Sequence, residues 1–270
     1  MSALTDEELS VALAQQAGAL LLELRDSFGA VDPDDRDRAN ALRKAGDRAS
    51  HELLAAALEE HRPHDALLSE EGKDDDARLS AERLWIVDPL DGTFEYGQFR
   101  SDFAVHVALW HPLEGRLSAC TVDLPAQGLT RSVLDPGAVA PLPTDRPIRF
   151  VASRTRPPAT LPLVIERFSA ALAAAGITDQ GVELLDVGSV GAKVNELLSG
   201  RAEAYMHDTG FYEWDVAAPL GVAQHYGYDA THVDGVEVTF NHMPPYVTSL
   251  VVSHPSLTTL LRAAIAEAAA

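Results

Sequence analysis

The sequence is nearly free of cysteine, with Cys120 the only one among 270 residues. A single thiol excludes an intrachain disulfide and a thiolate zinc cluster. No G-x-S-x-G motif is present, and Cys120 lies in an apolar stretch, which disfavours a serine or cysteine nucleophile. A Walker-type glycine loop is missing as well. The chemistry of this chain therefore has to come from other groups.

Long apolar runs and positive charge are also scarce. No run approaches the roughly 18 apolar residues of a membrane span, and the N-terminal MSALTDEELS lacks the features of a secretory signal. Lys and Arg number 21 against 41 Asp and Glu, which gives a net charge of −20 at pH 7. Such acidity disfavours nucleic acid or an anionic membrane as the main partner. We expect a cytoplasmic protein.

Periodicity in the first part of the chain indicates two helices followed by strands. Thr5 begins a capping box for a helix to about Arg25, and a second helix is predicted from near Asp47. The apolar run Leu84–Val87 predicts a buried strand, and the next two apolar segments predict an antiparallel hairpin. Four prolines between residues 136 and 147 then predict a linker between halves 1–145 and 146–270.

Strand and helix patterns continue to alternate beyond the linker, which predicts a layered α/β (α+β) fold rather than a helix bundle. The strands predicted there are Ile148–Ala152, Val182–Val187, Ala202–Met206 and Val247–Val252. Helices are predicted near residue 161, from Ser189, from about Trp214 and from about Pro255.

The turn Asp88-Pro89-Leu90-Asp91-Gly92-Thr93 directly follows the apolar strand. Pro89 fixes its own φ and Gly92 permits close backbone approach, so the turn can aim two carboxylates and the Leu90 carbonyl at one point. Magnesium prefers hard oxygen ligands of this kind. The Thr93 hydroxyl and nearby N–H groups would then hold a phosphate or a water. The turn predicts a cation site at a strand end.

Three further acidic positions are ambiguous on their own. The pair Glu70-Glu71 ends a short apolar run, where acids are often simply exposed. Asp215 begins an alanine-rich helix, and Asp47 follows Gly46. Either aspartate could serve only as a helix cap.

Taken together, these segments resemble the inositol monophosphatase-like superfamily of metal-dependent phosphatases. The resemblance rests on an acidic pair ahead of DPxDGT and on a downstream WDxAA helix start, and it covers nearly the whole chain. It implies a layered αβαβα sandwich of the inositol monophosphatase and fructose-1,6-bisphosphatase type. The metal ligands that it implies are Glu70, Asp88, the Leu90 carbonyl, Asp91 and Asp215. Asp47 matches a position that helps bind a further metal, although Gly46 replaces the usual Thr.

Finer features resemble the bisphosphate-nucleotidase branch of this superfamily. Overall, the chain resembles the CysQ-type enzymes of actinobacteria, which hydrolyse 3′-phosphoadenosine 5′-phosphate to AMP. Glu95-Tyr96 after DGT and Glu213 before Trp214 are typical of that branch. The substrate-binding residues that this resemblance implies are Gly92, Thr93, Ser153, Arg154, Ser189, Lys193 and Asp215. The chain departs from the branch at Arg156, where His is more common, and at His207, where many relatives carry Arg.

The expected reaction is hydrolysis of that nucleotide by in-line attack of a water, with roughly two or three Mg²⁺ ions in the site. Glu70, Thr93 and Asp47 are expected to orient and deprotonate the water. The resemblance also implies inhibition by Li⁺ and a place in sulfur assimilation. Phosphatases of inositol 1-phosphate, fructose 1,6-bisphosphate or histidinol phosphate remain open on the same scaffold. A catalytically inactive regulator that binds metal or nucleotide, and a homodimeric assembly, are open as well.

Overall fold

The structure is a computed structural model that describes residues 4–29 and 35–269. Helices α1 and α2 precede a first group of five strands. The short helix α3 connects the second of these strands to the third. The elements of this first part are α1 (Asp6–Phe28), α2 (Arg36–His61), β1 (Ala66–Ser69), β2 (Leu84–Asp91), α3 (Thr93–Gly97), β3 (Ala104–His111), β4 (Arg116–Leu124) and β5 (Leu129–Ser132).

The second part alternates strands and helices after the proline-rich segment. Its elements are β6 (Ile148–Ser153), α4 (Leu161–Ala174), β7 (Val182–Val187), α5 (Val190–Leu198), β8 (Ala204–His207), β9 (Phe211–Tyr212), α6 (Glu213–His225), β10 (Asp229–Thr231), β11 (Tyr246–Val247), β12 (Leu250–Ser253) and α7 (Thr258–Ala269).

Two five-stranded sheets organise the chain. The first has the order β1-β2-β3-β4-β5, with β1 parallel to β2 and the other neighbours antiparallel. The second has the order β10-β12-β8-β6-β7, in which β8, β6 and β7 run parallel and β10 and β12 pair antiparallel. Strands β9 and β11 form a separate two-stranded ribbon.

Three apolar cores place these sheets and helices in five layers. The first core joins α1 and α2 to one face of the first sheet. The second lies between the two sheets and is filled largely by α5 and α6. The third joins the outer face of the second sheet to α4 and α7. The predicted αβαβα sandwich is therefore confirmed, whereas the division at residue 145 stays a prediction.

The capping box of α1 is confirmed: the Thr5 hydroxyl accepts from the Glu8 backbone N–H at 3.2 Å, and the Glu8 carboxylate accepts from the Thr5 N–H at 2.9 Å. The start predicted for the second helix was wrong. Helix α2 begins well before Asp47, at Arg36, where the Asp35 side chain accepts from the Arg38 N–H.

Gly46 lies inside α2 because the helix packs closely there. A Cβ at this position would lie 2.8 Å from the Tyr96 ring and 3.2 Å from the Leu90 side chain. Gly46 is therefore explained by close packing of α2 against the DPLDGT region, and it does not mark a helix boundary. The strand predicted at 247–252 is also divided, since β11 pairs with β9 and β12 pairs with β8.

Candidate active site

Strand β2 carries the DPLDGT segment to the edge of the site. It pairs with β3 at Asp88 and again at Asp91, with a register shift between them. The Asp88 Oδ1 accepts from the Leu90 N–H at 3.0 Å. Gly92 has φ +87°, and a Cβ there would come within 3.2 Å of the backbone of residues 102 and 103. Glycine is needed here for two reasons: a residue with a side chain would be strained at this φ, and its Cβ would have no room.

Three carboxylates from distant parts of the chain meet at this turn. Asp88, Asp91 and Asp215 each present an oxygen within 4.8 Å of the others. Asp215 arrives on the first turn of α6, where its Oδ2 accepts from the Tyr212 N–H at 2.8 Å. The Asp91 Oδ2 accepts from the Gly191 N–H at 3.0 Å, so α5 helps to orient it.

The electrostatics of this cluster suit a bound cation. Asp88 is 1% exposed, and its Oδ2 has no hydrogen-bond partner among the described residues. Burial and the neighbouring carboxylates Glu70, Asp91 and Asp215 raise the pKa of Asp88 well above its usual range. Burial and Asp91 likewise raise the pKa of Asp215 to about 8. A divalent cation would remove this repulsion and give the Asp88 oxygen a partner, so the donor set fits magnesium.

Glu70, Asp47 and Thr93 lie around the three carboxylates. The Glu70 side chain is exposed, but partial loss of solvent around its carboxylate, followed by the charges of Asp47, Asp91 and Glu71, raises its pKa to about 7. Burial and Glu71 raise the pKa of Asp47, also to about 7. The Thr93 hydroxyl lies 3.4 Å from the Asp47 Oδ1 and 3.1 Å from the Leu90 carbonyl oxygen. The residues predicted for water activation thus lie next to one another.

A polar cavity of about 120 Å³ adjoins Asp91 and Asp215. Ser189 caps α5, with its hydroxyl accepting from the Ala192 N–H at 2.9 Å. Lys193 is 3% exposed, and its ammonium group donates to the Gly188 carbonyl. Burial lowers the pKa of Lys193 to about 8. The residues that line the cavity are Asp91, Gly92, Ser153, Thr155, Arg156, Gly188, Ser189, Val190, Lys193, Tyr205, His207, Phe211 and Asp215.

Arg154, predicted to bind phosphate, has its guanidinium in an ion-pair network. It donates to the Glu95 Oε1 at 3.0 Å, to the Asp102 Oδ2 at 2.9 Å and to the Asp186 carbonyl at 3.2 Å. Asp102 also accepts from the Gly188 N–H at 2.9 Å, which fixes the entry to α5. The neighbouring cation that lines the cavity is Arg156.

Tyr205 and His106 were not predicted from the sequence. Tyr205 lines the cavity two residues before His207 on β8, so strand alternation could have identified it once His207 was considered. His106 is fully buried on β3, and its Nε2 lies 3.2 Å from the Asp91 Oδ2. No local motif marks His106, because its contact depends on the pairing of β2 with β3.

Comparison with known proteins identifies the family to which this sequence is similar. The sequence profile described as the inositol monophosphatase family matches residues 5–269. The chain belongs to the inositol monophosphatase family. The predicted family is thereby confirmed over nearly the entire length of the chain.

Relatives within this family include enzymes named for one nucleotide. A "3'-phosphoadenosine 5'-phosphate phosphatase" of Mycobacterium leprae is 38% identical over 275 residues, covering 98% of this chain and 94% of the relative. The protein of the same name from Mycobacterium bovis is 38% identical over 93% of this chain and 90% of its own length. The CysQ structure from Bacteroides thetaiotaomicron has a TM-score of 0.68 at 24% identity, covering 92% of this chain and 96% of that one, which supports the fold.

The family membership does not by itself assign roles to individual side chains, so the ligand and substrate residues named from the sequence stay predictions. Within the described part of the chain, no helix combines the length and apolar character of a membrane-spanning segment.

Proposed function

We propose that this chain is a magnesium-dependent phosphomonoester hydrolase that converts 3′-phosphoadenosine 5′-phosphate to AMP and inorganic phosphate. The observation that carries the proposal is the meeting of three acidic side chains and two cationic ones in a single cleft. Asp88, Asp91 and Asp215 form one end, and Lys193 and Arg156 line the cavity beside it. The mycobacterial relatives named for this nucleotide support the choice of substrate.

Roughly two or three magnesium ions would be held by Glu70, Asp88, the Leu90 carbonyl, Asp91 and Asp215. Asp47 would help to bind a further ion or its waters. Bound magnesium would supply Lewis-acid stabilisation of the reacting phosphoryl group and lower the pKa of the attacking water. Burial of Asp88 keeps its carboxylate inside the site, and the Tyr212 N–H orients Asp215 from α6.

Water activation would fall to side chains that surround the carboxylate cluster. We assign Thr93 and Glu70 to orient the attacking water, and Asp47, beside the Thr93 hydroxyl, to accept its proton. The water oxygen bonds to phosphorus in line with the ester oxygen, the P–O bond to the sugar breaks, and the sugar oxygen leaves as an alkoxide that takes up a proton from solvent. The N–H groups of Gly92 and Thr93 would stabilise charge on the phosphoryl oxygens. Ser153, Ser189 and Lys193 would hold the rest of the substrate.

Phosphate release measured side by side on several esters tests the proposal. The panel contains 3′-phosphoadenosine 5′-phosphate, inositol 1-phosphate, fructose 1,6-bisphosphate and histidinol phosphate, each with and without MgCl₂. We expect the highest kcat/KM for the adenosine bisphosphate and loss of turnover on chelation. A higher kcat/KM for another ester would reassign the substrate. Tight nucleotide binding in calorimetry without turnover of any ester would instead indicate an inactive regulator.

A further inference from the structure

We propose that Arg78 and Glu213 are positioning residues for the metal site. Between them they hold the Asn241-His242 segment, and through it they tie the loop that follows Glu70 to the helix start that carries Asp215. The inference rests on the proposed phosphatase function and deepens it, since neither residue is a predicted metal ligand. It is carried by two buried charged side chains that bind the same short segment.

The Glu213 carboxylate holds this segment to the start of α6. Glu213 is the first residue of α6, two residues before Asp215, and its side chain is fully buried. Its two oxygens accept from the backbone N–H groups of Asn241 and His242, each at 2.7 Å. The His242 Nδ1 also lies 2.8 Å from the Glu213 Oε1. Bonds from backbone N–H groups to a carboxylate are among the stronger hydrogen bonds in proteins, so the segment and the helix start are fixed relative to each other.

The Arg78 guanidinium holds the same segment to the loop that follows Glu70. The Arg78 side chain is 2% exposed. It donates to the Asn241 Oδ1 and to the His242 carbonyl, each at 2.7 Å, and the Asn241 amide donates to the Arg78 carbonyl at 3.2 Å. It also donates to both carboxylate oxygens of Asp74, four residues after Glu70, at 2.6 and 3.0 Å. Arginine suits this place because its planar guanidinium offers several donors in a fixed arrangement.

The backbone of Asn241 explains how one short segment contacts both charged groups. Asn241 has φ +73°, in the left-handed region that asparagine adopts more readily than most residues. In this conformation its N–H donates to Glu213 while its side chain contacts Arg78. A change at either charged residue should therefore loosen the contact of the segment with the other.

The two elements that the segment joins carry predicted metal ligands. Glu70 and Asp215 both place negative charge beside Asp88, so like charges repel at this site when no cation is bound. Firm support from the surrounding structure keeps such ligands in place and reduces the ordering that occurs when an ion binds. Partners that orient metal ligands are commonly worth about 10–100-fold in metal affinity. Loss of Arg78 or Glu213 should therefore weaken magnesium binding while the predicted ligands themselves stay unchanged.

Titration of MgCl₂ into the purified full-length protein, followed by calorimetry, tests the inference. Glu213→Gln keeps the shape of the side chain but turns an NH₂ group towards one of the two N–H donors, so we expect the apparent Kd for Mg²⁺ to rise about tenfold or more. Arg78→Lys keeps the charge but cannot reach all of the acceptors, and it should raise the Kd by a similar factor. Turnover of 3′-phosphoadenosine 5′-phosphate should fall at low MgCl₂ and return towards the wild-type value in excess MgCl₂.

Glu203→Gln and Arg146→Lys are the matched controls. Glu203 is also a buried carboxylate, which pairs with Arg146 at 2.6 Å and accepts from the Arg149 N–H at 2.7 Å. These contacts lie near the start of β6, whereas the cavity adjoins the end of that strand. Both changes should lower the Tm and leave the Kd for Mg²⁺ at its wild-type value.

Asn241→Gly is a milder test of the same contacts. Glycine adopts the same φ without strain, so the change removes the side-chain contacts to Arg78 and keeps the backbone conformation. It should also raise the Kd for Mg²⁺. If Arg78→Lys does not fold, Glu213→Gln and Asn241→Gly decide the question by the same titration.

The possible outcomes separate this inference from the proposed function. The inference is overturned if Glu213→Gln and Asn241→Gly lower the Tm but leave the Kd for Mg²⁺ unchanged, or if the controls weaken magnesium binding by the same factor. Weaker magnesium binding in these variants, together with no turnover of any ester by the wild type, would support the inference and refute the proposed function. A wild type that binds no magnesium would overturn both.

Discussion

Asp88 lies in the second half of the fully buried strand β2, and one of its carboxylate oxygens has no partner among the described residues. Neighbouring carboxylates oppose its ionisation, and a divalent cation would reverse this effect. A bound cation would therefore explain the position of this side chain. The same reasoning applies with less force to Asp215, whose Oδ2 already accepts from a backbone N–H.

Replacement of Asp88 by asparagine is expected to lower kcat by several orders of magnitude while the fold is retained. The amide keeps the shape of the side chain but supplies no negative charge to hold magnesium. Steady-state turnover, with circular dichroism to monitor the fold, measures the effect. Asp179→Asn, on an exposed loop, is the matched control for removing one charge. Near-normal turnover of purified Asp88→Asn protein would refute the assignment of this residue as a metal ligand.

The contact between helix α1 and strand β4 contains an unusual buried acid. Asp123 is buried on β4, and its Oδ1 accepts from the Thr130 hydroxyl at 2.7 Å. A Cβ on Gly18 of α1 would lie 2.1 Å from its Oδ2, so the glycine makes room for the carboxylate. Burial raises the pKa of Asp123 to about 6. The α1–β4 interface should therefore be most stable when this group is protonated.

Asp123→Asn is expected to raise the free energy of unfolding at neutral pH. Since the folded state raises this pKa, the wild type has the full contribution of Asp123 below about pH 4 and loses it as the pH rises to about 6. The asparagine variant has no such loss, so its advantage should grow over that range and then level off, at no more than about 3 kcal/mol. Urea unfolding from pH 4 to 8 measures it. A difference independent of pH would contradict the prediction.

Elements with local signals could be predicted from the sequence, and those set by remote partners could not. The capping box at Thr5 and the turn at Pro89 and Gly92 are encoded within a few residues. The start of α2 was misjudged because Gly46 is typical of a helix boundary, whereas here it permits contact with a distant ring. The ion pairs of Arg154 are formed with Glu95 and Asp102, which are far from it in sequence, so no local pattern could predict them.

The proximity of Asp215 to Asp88 and Asp91 could be predicted only from the family resemblance. Spacing along the chain gives no indication that the first turn of α6 lies beside the end of β2. That proximity results from α6 packing in the middle layer, between the two sheets. Tyr205 was missed for a related reason: that its hydroxyl has no partner among the described residues becomes evident only when its surroundings are known.

The whole molecule combines a net charge of −20 with an acidic cluster in its interior. Magnesium that binds only the folded state stabilises it by mass action, by roughly 2.7 kcal/mol at a concentration one hundred times the Kd. We therefore expect MgCl₂ to raise the Tm and a chelator to reverse the increase. NaCl of equal ionic strength is the control for screening of surface charge. An equal rise in Tm with NaCl, or an undiminished rise with Asp88→Asn, would show that the cluster does not bind the ion.

The Glu95–Arg154–Asp102 network joins residues 1–145 to residues 146–270, and the carboxylate cluster does the same. Neither stretch of sequence contains the cluster by itself. If magnesium binds this cluster, its binding and the packing of the two stretches against each other favour one another by the same free energy. The cation supply would then govern how rigidly the cavity is held as well as whether the reaction proceeds.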